Sequence, residues 1–273
     1  MESEPLRIGL IGWGAIARAL AGHLAGHLAG EVNHARIVAV AVRDTTRERP
    51  ALPPGARLLR DPAELAECGA ALVIEAAGRD SVAPWGRAAL ATGADFAVSS
   101  VSAFADAALL RELTRQAQAH GAKLFLPPGA LGGIDALRAA RHMGLAEVEH
   151  RIVKPAHAWR GTEAEKLCQL DTLTAPCTFF IGNALQAANR FPQNANVAMT
   201  TALAGLGPER TRIALVADPQ ARLNRHEIIA AGDFGTMALR FENAPLPENP
   251  KSSAMTALSL MRLVENHSQA LVI

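Results

Sequence analysis

The sequence predicts an α/β protein, with an N-terminal Rossmann-type doubly wound parallel sheet followed by a C-terminal α+β domain with a mixed sheet. Three observations carry that expectation. A short apolar run ends in a glycine turn close to the N-terminus. Continuous β-branched runs then alternate with helical stretches as far as about residue 130. Beyond that point the strands become short, and several alternate apolar with polar residues.

The opening run is Leu6-Arg-Ile-Gly-Leu-Ile-Gly12-Trp-Gly14-Ala-Ile-Ala17, and the helix-forming stretch Arg18 to Leu28 follows it. Gly12 allows a tight turn. Gly14 has no side chain, so a pyrophosphate can reach the backbone, and Ala17 is small enough for the helix to pack close on the strand. The first N–H groups and the positive end of the helix then face the phosphates. Gly12, Gly14, Ala15 and Ile16 are therefore candidate contacts for a dinucleotide. A tight strand-to-helix turn without a ligand is the alternative, and the strand before and helix after the motif argue against it. The same helix carries a tandem Ala-Gly-His-Leu repeat. His23 and His27 share one of its faces, as zinc ligands can. No carboxylate or cysteine nearby completes a site, so a solvated face is expected and no metal.

The later strands are read in order. Ile37 to Val42 is continuously apolar, as in a parallel strand buried on both faces. Ala71 to Ile74 leads into Glu75-Ala-Ala-Gly78, Asp95 to Val98 into Ser99-Ser100, and Lys123 to Leu126 into Pro127-Pro-Gly-Ala130. Helical stretches at Val82–Thr92 and Ala105–Ala119 separate them. Ligands of such sheets bind at the carboxyl ends of the strands, so these segments should line one crevice. The second strand ends at Arg43-Asp44. An acidic residue there would hold the ribose hydroxyls of NAD, and an arginine the 2′-phosphate of NADP. Both being present, either cofactor is open, although each residue also suits a plain turn.

After about residue 133 come strands at Val148–Val153, Cys177–Ile181, Arg212–Val216, Arg225–Ala231 and Thr236–Phe241. Helices at Glu163–Leu170, Asn183–Arg190 and Val197–Leu206 interleave with them, and Asp135 favours the first turn of a preceding helix. A proline-rich turn, Pro245–Pro250, precedes a last helix, Ser252 to Glu265, and a tail strand, Ala270–Ile273. The chain of 273 residues is long enough for two domains. We expect a dinucleotide-binding domain at 1–130, with the last helix packed back on it, and a substrate and oligomerisation domain at 131–250.

Composition bounds the function. Hydrophobic residues make up 49% of the chain and the net charge is +1, so no basic surface for nucleic acid is present and no polybasic membrane signal. No stretch of about 20 apolar residues exists, and the N-terminus lacks the pattern of a signal peptide. Cys68, Cys168 and Cys177 show no metal spacing and read as reduced core thiols in a cytoplasmic protein. The absence of tyrosine excludes a Tyr-x-x-x-Lys proton donor.

Three polar clusters lie in the second half. In Lys154-Pro-Ala-His157-Ala-Trp-Arg160, directly after a strand, the two cations could bind carboxylates and His157 could move protons, or the segment is a solvated loop. In Phe191-Pro-Gln-Asn194-Ala-Asn196, the asparagines suit helix caps, and an amide at a helix start could also hold a carboxamide. His226 opens a strand after a turn, where a surface histidine is the ordinary finding.

Taken together with the glycine loop, Pro128-Gly-Ala-Leu-Gly-Gly-Ile-Asp-Ala-Leu, Ala202-Leu-Ala-Gly-Leu-Gly and Asn249-Pro-Lys-Ser-Ser-Ala, these clusters resemble the L-aspartate dehydrogenase family in order and over nearly the whole chain. Arg79 departs from it, standing where a histidine is expected in close relatives. The resemblance implies NAD contacts at Ala130 and Asn196 and a catalytic role for His226. It also implies NAD(P)-dependent oxidative deamination of L-aspartate through iminosuccinate to oxaloacetate and ammonia, with iminosuccinate as a feed for NAD biosynthesis. Such chemistry must hold two carboxylates, for which Lys154 is suited with His157 and Asn194 as further substrate candidates. It must also move protons, and a histidine titrating near neutrality suits that. The expected assembly is a homodimer with a small-molecule substrate. Two other readings are a reductase of the homoserine-dehydrogenase or dihydrodipicolinate-reductase type and a non-catalytic NAD(P)-binding sensor.

Overall fold

In the computed structural model, residues 4–27 and 35–272 are described, His27 by its backbone alone. Two compact units emerge. The first holds the chain up to Gly129, Leu246–Ser252 and the residues from Thr256 onward, and the second holds Ala130–Pro245 and Ser253–Met255.

The first unit runs β1 (Leu6–Ile11), α1 (Ala15–His27), β2 (Ala35–Ala41), β3 (Arg57–Leu59), β4 (Leu72–Glu75), α2 (Arg79–Ala91), β5 (Asp95–Val98), α3 (Ala107–Ala119) and β6 (Leu124–Phe125). The strands form one parallel sheet in the order β3-β2-β1-β4-β5-β6. This is the Rossmann order. The chain moves outward from β1 in one direction and from β4 in the other, so the loops after these two neighbours part and leave a crevice at their carboxyl ends. Ile8, Leu10, Val40, Leu72 and Ile74 are buried with Leu20 of α1. The C-terminal helix, Ala254–Ser268, adds Leu260, Met261 and Val264 to the same core. Its His267 ring meets Asp95 at 3.2 Å and the edge of Phe125 at 4.8 Å, which ties the helix to β5 and β6.

Three expectations need correction here. The short β3 was absent from the sequence reading, because Arg57-Leu-Leu is too brief to show a period. Helix α1 begins at Ala15, three residues before Arg18, and its expected end at Leu28 lies outside the described residues. No strand forms at 270–272, and Ile273 is not described. Leu271 and Val272 are 70% and 60% exposed, and the backbone continues the helix instead through Gln269 N–H to Glu265 O at 2.8 Å. A few apolar residues gain nothing as a strand without a paired edge.

The second unit runs α4 (Ile134–Ala140), β7 (Leu145–Pro155), α5 (Ala164–Leu167), β8 (Cys177–Asn183), α6 (Ala184–Arg190), α7 (Ala195–Ala204), β9 (Arg212–Asp218), β10 (Asn224–Gly232) and β11 (Gly235–Asn243). The sheet order is β11-β10-β7-β9-β8, with β7 and β9 parallel and the other neighbours antiparallel. Helices α4 and α7 cover one face, where Leu137 and Ala204 pack with Val148, Ile228 and Ala230. Helix α5 is shorter than Glu163–Leu170, because Cys168 is extended at φ −152° and ψ 135°. The Pro245–Pro250 stretch is not a simple turn: Pro245–Leu246 and Asn249–Ser253 make a small two-stranded sheet.

One side chain organises the carboxyl end of the first sheet. Glu75, the last residue of β4, has no exposed surface. Its carboxylate accepts from Ala77 N–H and Gly78 N–H at 2.8 Å each, Ser100 N–H at 2.9 Å and the Ser100 hydroxyl at 3.0 Å, while the nearby Ser81 hydroxyl has its shorter bond to Gly78 O at 2.6 Å. It thereby joins the loop after β4 to the loop after β5. Charge-assisted bonds of this kind are the strong ones. In Glu75→Gln the amide NH₂ would point a donor at donors, so the variant should lose about 1–3 kcal/mol of stability. Urea unfolding of the purified variant checks this, and an unchanged midpoint would show that the carboxylate does not hold these loops.

Candidate active site

In the first unit the glycine turn has the shape a dinucleotide needs. Gly12 has φ +96°, and a Cβ there would come within 2.9 Å of Ala77. It serves the turn and the close passage of the neighbouring loop. Gly14 is different: a Cβ there would meet nothing within 4 Å. Its missing side chain leaves open space at the start of α1, next to helix N–H groups that have no partner within the helix. Ala15 begins that helix, Ile16 packs half-buried on the core, and Ala17 is fully buried against the sheet. Ser99, at the end of β5, buries its hydroxyl without a hydrogen-bond partner. An open cradle and an orphaned hydroxyl at the strand ends fit a bound dinucleotide.

At the end of β2, Arg43 and Asp44 are both exposed. Asp44 Oδ1 accepts from Thr46 N–H at 2.9 Å and from the Thr46 hydroxyl at 2.7 Å, and these bonds lower its pKa. The carboxylate is thus also a turn residue, with one oxygen committed to its own loop.

In the second unit, alternation along β7 and β10 gathers the polar groups. His226 on β10 is registered with Ile152 on β7. His150 and Lys154 lie two residues to either side of Ile152, so all three side chains share the helix-covered face. His226 is 4% exposed and His150 has no exposure. His226 Nδ1 lies 3.1 Å from His150 Nε2, and His150 Nδ1 lies 2.9 Å from the Thr201 hydroxyl of α7. Lys154 extends its ammonium over the Trp159 ring, 5.0 Å from the centroid. Trp159 is itself buried and donates to Val216 O at 3.0 Å.

The electrostatics follow from burial. Burial lowers Lys154 to about 8. Burial, and after it the Lys154 charge, lowers His226 to about 3. Burial also holds His150 well below the ordinary histidine value. The effect on the Lys154–His226 pair is one-sided for a reason. Lys154 is still a cation where His226 would take its proton, whereas His226 is already neutral where Lys154 loses its own. A histidine titrating near neutrality, expected from the sequence, is therefore not what the free site holds: His226 is a neutral base beside a cation.

The remaining sequence candidates divide. Asn194 is 4% exposed at the start of α7, makes no cap, and leaves its Nδ2 without a partner. Ala130 O is held by Asn243 Nδ2 at 2.8 Å. Asn196 lies in the first turn of α7. His157 is exposed in the 3₁₀ turn after β7. Arg160 is bound at the surface by Asp171 at 2.5 Å, and Arg79 is the exposed first residue of α2. Cys68 and Cys168 are buried and Cys177 half-buried, all as free thiols. No cluster of metal-ligand side chains occurs among the described residues, and His23 is exposed on α1. No helix among them is long and apolar enough to cross a membrane. His150, Thr201 and Asn243 escaped the sequence reading. The alternation His150-x-Ile152-x-Lys154 was the available signal for the first. Gly132 and Gly133 make room for Phe241 and Leu239 of β11, since a Cβ on either would come within 2.8 Å of those rings and methyls.

A sheet of this order with an open glycine turn is the architecture of nicotinamide-dependent dehydrogenases, and that is the class of this chain. A family model described as "Homoserine dehydrogenase, NAD binding domain" matches residues 12–127, and one described as "Aspartate dehydrogenase, C-terminal" matches 135–267. The L-aspartate dehydrogenase of Brucella anthropi is 59% identical over 264 residues, 97% of each chain. That of Ruegeria pomeroyi is 39% identical, over 99% of this chain and 95% of its own. The crystal structure of the Thermotoga maritima aspartate dehydrogenase superposes with a TM-score of 0.76 at 24% identity, covering 98% of this chain and 99% of that one, which is a likeness of fold. The chain belongs to the L-aspartate dehydrogenase family.

The two turn glycines should separate by experiment. Gly14→Val has room for its side chain in the protein alone, so it should melt near the wild-type temperature and lose NAD(P)H binding by fluorescence titration. Gly12→Ala must strain a positive φ and press on Ala77, so it should lower the melting temperature as well. A folded Gly14→Val that binds NAD(P)H normally would show that this turn does not cradle the phosphates.

Proposed function

We propose that this chain catalyses the NAD(P)-dependent oxidation of L-aspartate to iminosuccinate, which water converts to oxaloacetate and ammonia, with His226 as the acid/base group. The observation that carries the reading is that His226 and Lys154 share one face of the sheet, with His226 buried and its ring under the influence of the Lys154 charge. A nicotinamide held beside the first sheet's glycine turn would supply the acceptor for the hydride of the substrate α-carbon. Lys154 supplies the cation for one substrate carboxylate. It is half-buried over the Trp159 ring, where an ion pair is worth more than at the open surface. His226, neutral and unprotonated at the working pH, takes a proton at Nε2 from the substrate amine or from the water that attacks the imine. Two arriving carboxylates bring negative charge that raises the proton affinity of both groups, so the substrate itself prepares the base. Asn194 offers a buried amide donor with no acceptor of its own, which a substrate carboxylate or a carboxamide would satisfy. On the cofactor side, we assign Gly12, Gly14, Ala15 and Ile16 to the pyrophosphate, and Ala130 and Asn196 to the nicotinamide half. Asp44 and Arg43 share the ribose end. With Asp44 partly committed to Thr46, neither NAD nor NADP is strongly excluded.

If His226 is the proton-transfer group, His226→Ala should lower kcat by roughly 10²–10⁴-fold and His226→Asn nearly as much, with NADH affinity unchanged. Steady-state kinetics beside NADH fluorescence titration tests this. Near-normal kcat in both variants would make His226 a structural residue.

The role of Lys154 has its own test in a dicarboxylate without an amine. Lys154 loses its proton at about 8 in the free protein. Succinate, measured in the presence of NADH, should therefore bind well below that pH and weaken about tenfold per pH unit above it. In Lys154→Met binding should be weak and independent of pH. Equal succinate affinity in the wild type on both sides of that pH would remove Lys154 as the carboxylate anchor.

A further inference from the structure

The chemistry proposed for His226 uses one ring nitrogen, and the other is bound to a residue that no part of that proposal employs. His226 Nδ1 faces His150 Nε2 at 3.1 Å, and His150 Nδ1 faces the Thr201 hydroxyl at 2.9 Å. His150 and Thr201 have no exposed surface, so water does not compete for these bonds. Among the described residues no carboxylate is bonded to either ring. Two neutral imidazoles share one proton across their contact, so the line can be polarised in two directions. In one, Thr201 donates to His150, His150 Nε2–H donates to His226, and the His226 proton sits on Nε2, where it blocks a base. In the other, His226 Nδ1–H donates to His150 Nε2, His150 Nδ1–H donates to the Thr201 oxygen, and His226 Nε2 is left bare.

Lys154 decides between them. In the strand register it stands on the other side of Ile152, the residue opposite His226, from His150, and its charge acts on the His226 ring. A cation favours a lone pair over an N–H at the ring nitrogen facing it. We propose that His150 is a positioning residue for His226: together with Thr201 it holds the His226 proton on Nδ1 and presents a bare Nε2 to the substrate. The proposal rests on the reading of His226 as the acid/base group. When His226 takes a proton at Nε2, it becomes an imidazolium that still donates from Nδ1 to His150. No proton leaves the pair, and His150 orients without itself being protonated. The arrangement does what a carboxylate partner does in other histidine sites, but it adds no negative charge to a place that must receive a dicarboxylate.

The test reads the tautomer directly. In protein labelled with ¹⁵N-histidine, long-range proton–nitrogen spectra distinguish Nδ1–H from Nε2–H rings, and His226→Asn assigns the signal. The wild type should show His226 as Nδ1–H. Thr201→Val removes the acceptor for His150 Nδ1–H. His150 should then shift its proton to Nε2 and push His226 to Nε2–H, a change two side chains from the substitution. The kcat of Thr201→Val should fall, and that of His150→Leu by roughly 10–100-fold, with KM for aspartate and NADH affinity little altered. His150→Gln, whose amide reaches the place of Nε2, should recover much of the loss. In a His226→Ala background, His150→Leu should cost nothing further. A wild-type His226 in the Nε2–H form, or a tautomer unmoved by Thr201→Val, overturns the proposal even if His150→Leu fails to fold. If His226→Ala itself keeps its kcat, the reading of His226 falls; if it is inactive while folded His150→Leu is not impaired, only the positioning role falls.

Discussion

Glu75 places a carboxylate out of reach of water, and four donors from the loops after β4 and β5 converge on it. A polar group taken out of water must be paired or it costs several kcal/mol, and both units are arranged around that constraint. In the first, the pairing of Glu75 fixes the strand-end loops that border the crevice, so that the space over Gly14 is a formed feature. In the second, the same requirement strings Thr201, His150 and His226 into one line. Among the described residues four buried side-chain atoms have no hydrogen-bond partner, Thr211 Oγ1 and Arg225 Nε within the second unit, and Ser99 Oγ and Asn194 Nδ2 at the end of a strand and the start of a helix. Orphans of this kind at strand and helix ends are what a ligand completes.

The polar line in the second unit is made by strand geometry. Side chains two apart on β7 share a face, and the antiparallel register with β10 sets His226 diagonally between two of them. A shift of one residue in either strand would turn His226 to the opposite face and separate it from both His150 and Lys154. Register here is held by the apolar members of the same face, Val148, Ile228 and Ala230, packed under α4 and α7. Stability and chemistry thus depend on the same pairing, and mutations in that apolar set should be read for activity as well as for folding.

Most of the fold was legible in the residues. The buried parallel strands announce themselves as apolar runs, and Gly12-x-Gly14-x-x-Ala17 announces the turn, because both signals are local. What was missed is non-local. Arg57-Leu-Leu becomes a strand because β2 offers it an edge. Ala270 to Val272 is as apolar and forms none, having no edge to join. The Pro245–Pro250 segment reads as a turn by composition and pairs as a hairpin. In the site, Gly14, Lys154 and His226 could be named from pattern and resemblance. For His150 the alternation with Ile152 and Lys154 gave only its face of the strand, and its partner appears once β10 is laid beside it. The direction of the His226 shift was also out of reach: burial and a neighbouring cation are properties of the folded face, and they move the ring from near neutrality down to about 3.

That displacement bears on how such a site can work at all. A histidine paired to a carboxylate is a stronger base, but its partner adds a negative charge. For a substrate carrying two carboxylates, a charge of that sign beneath the His226 ring would oppose binding in a low-dielectric pocket. A neutral partner such as His150 keeps the ring oriented and leaves Lys154 as the local charge, so the field of the empty site attracts the substrate. The cost is a base that is too weak on its own. Under the proposed role of His226, the substrate would remove that cost on arrival, because its carboxylates would offset the lysine and stabilise the imidazolium. Base strength would then be available only when the dicarboxylate is present.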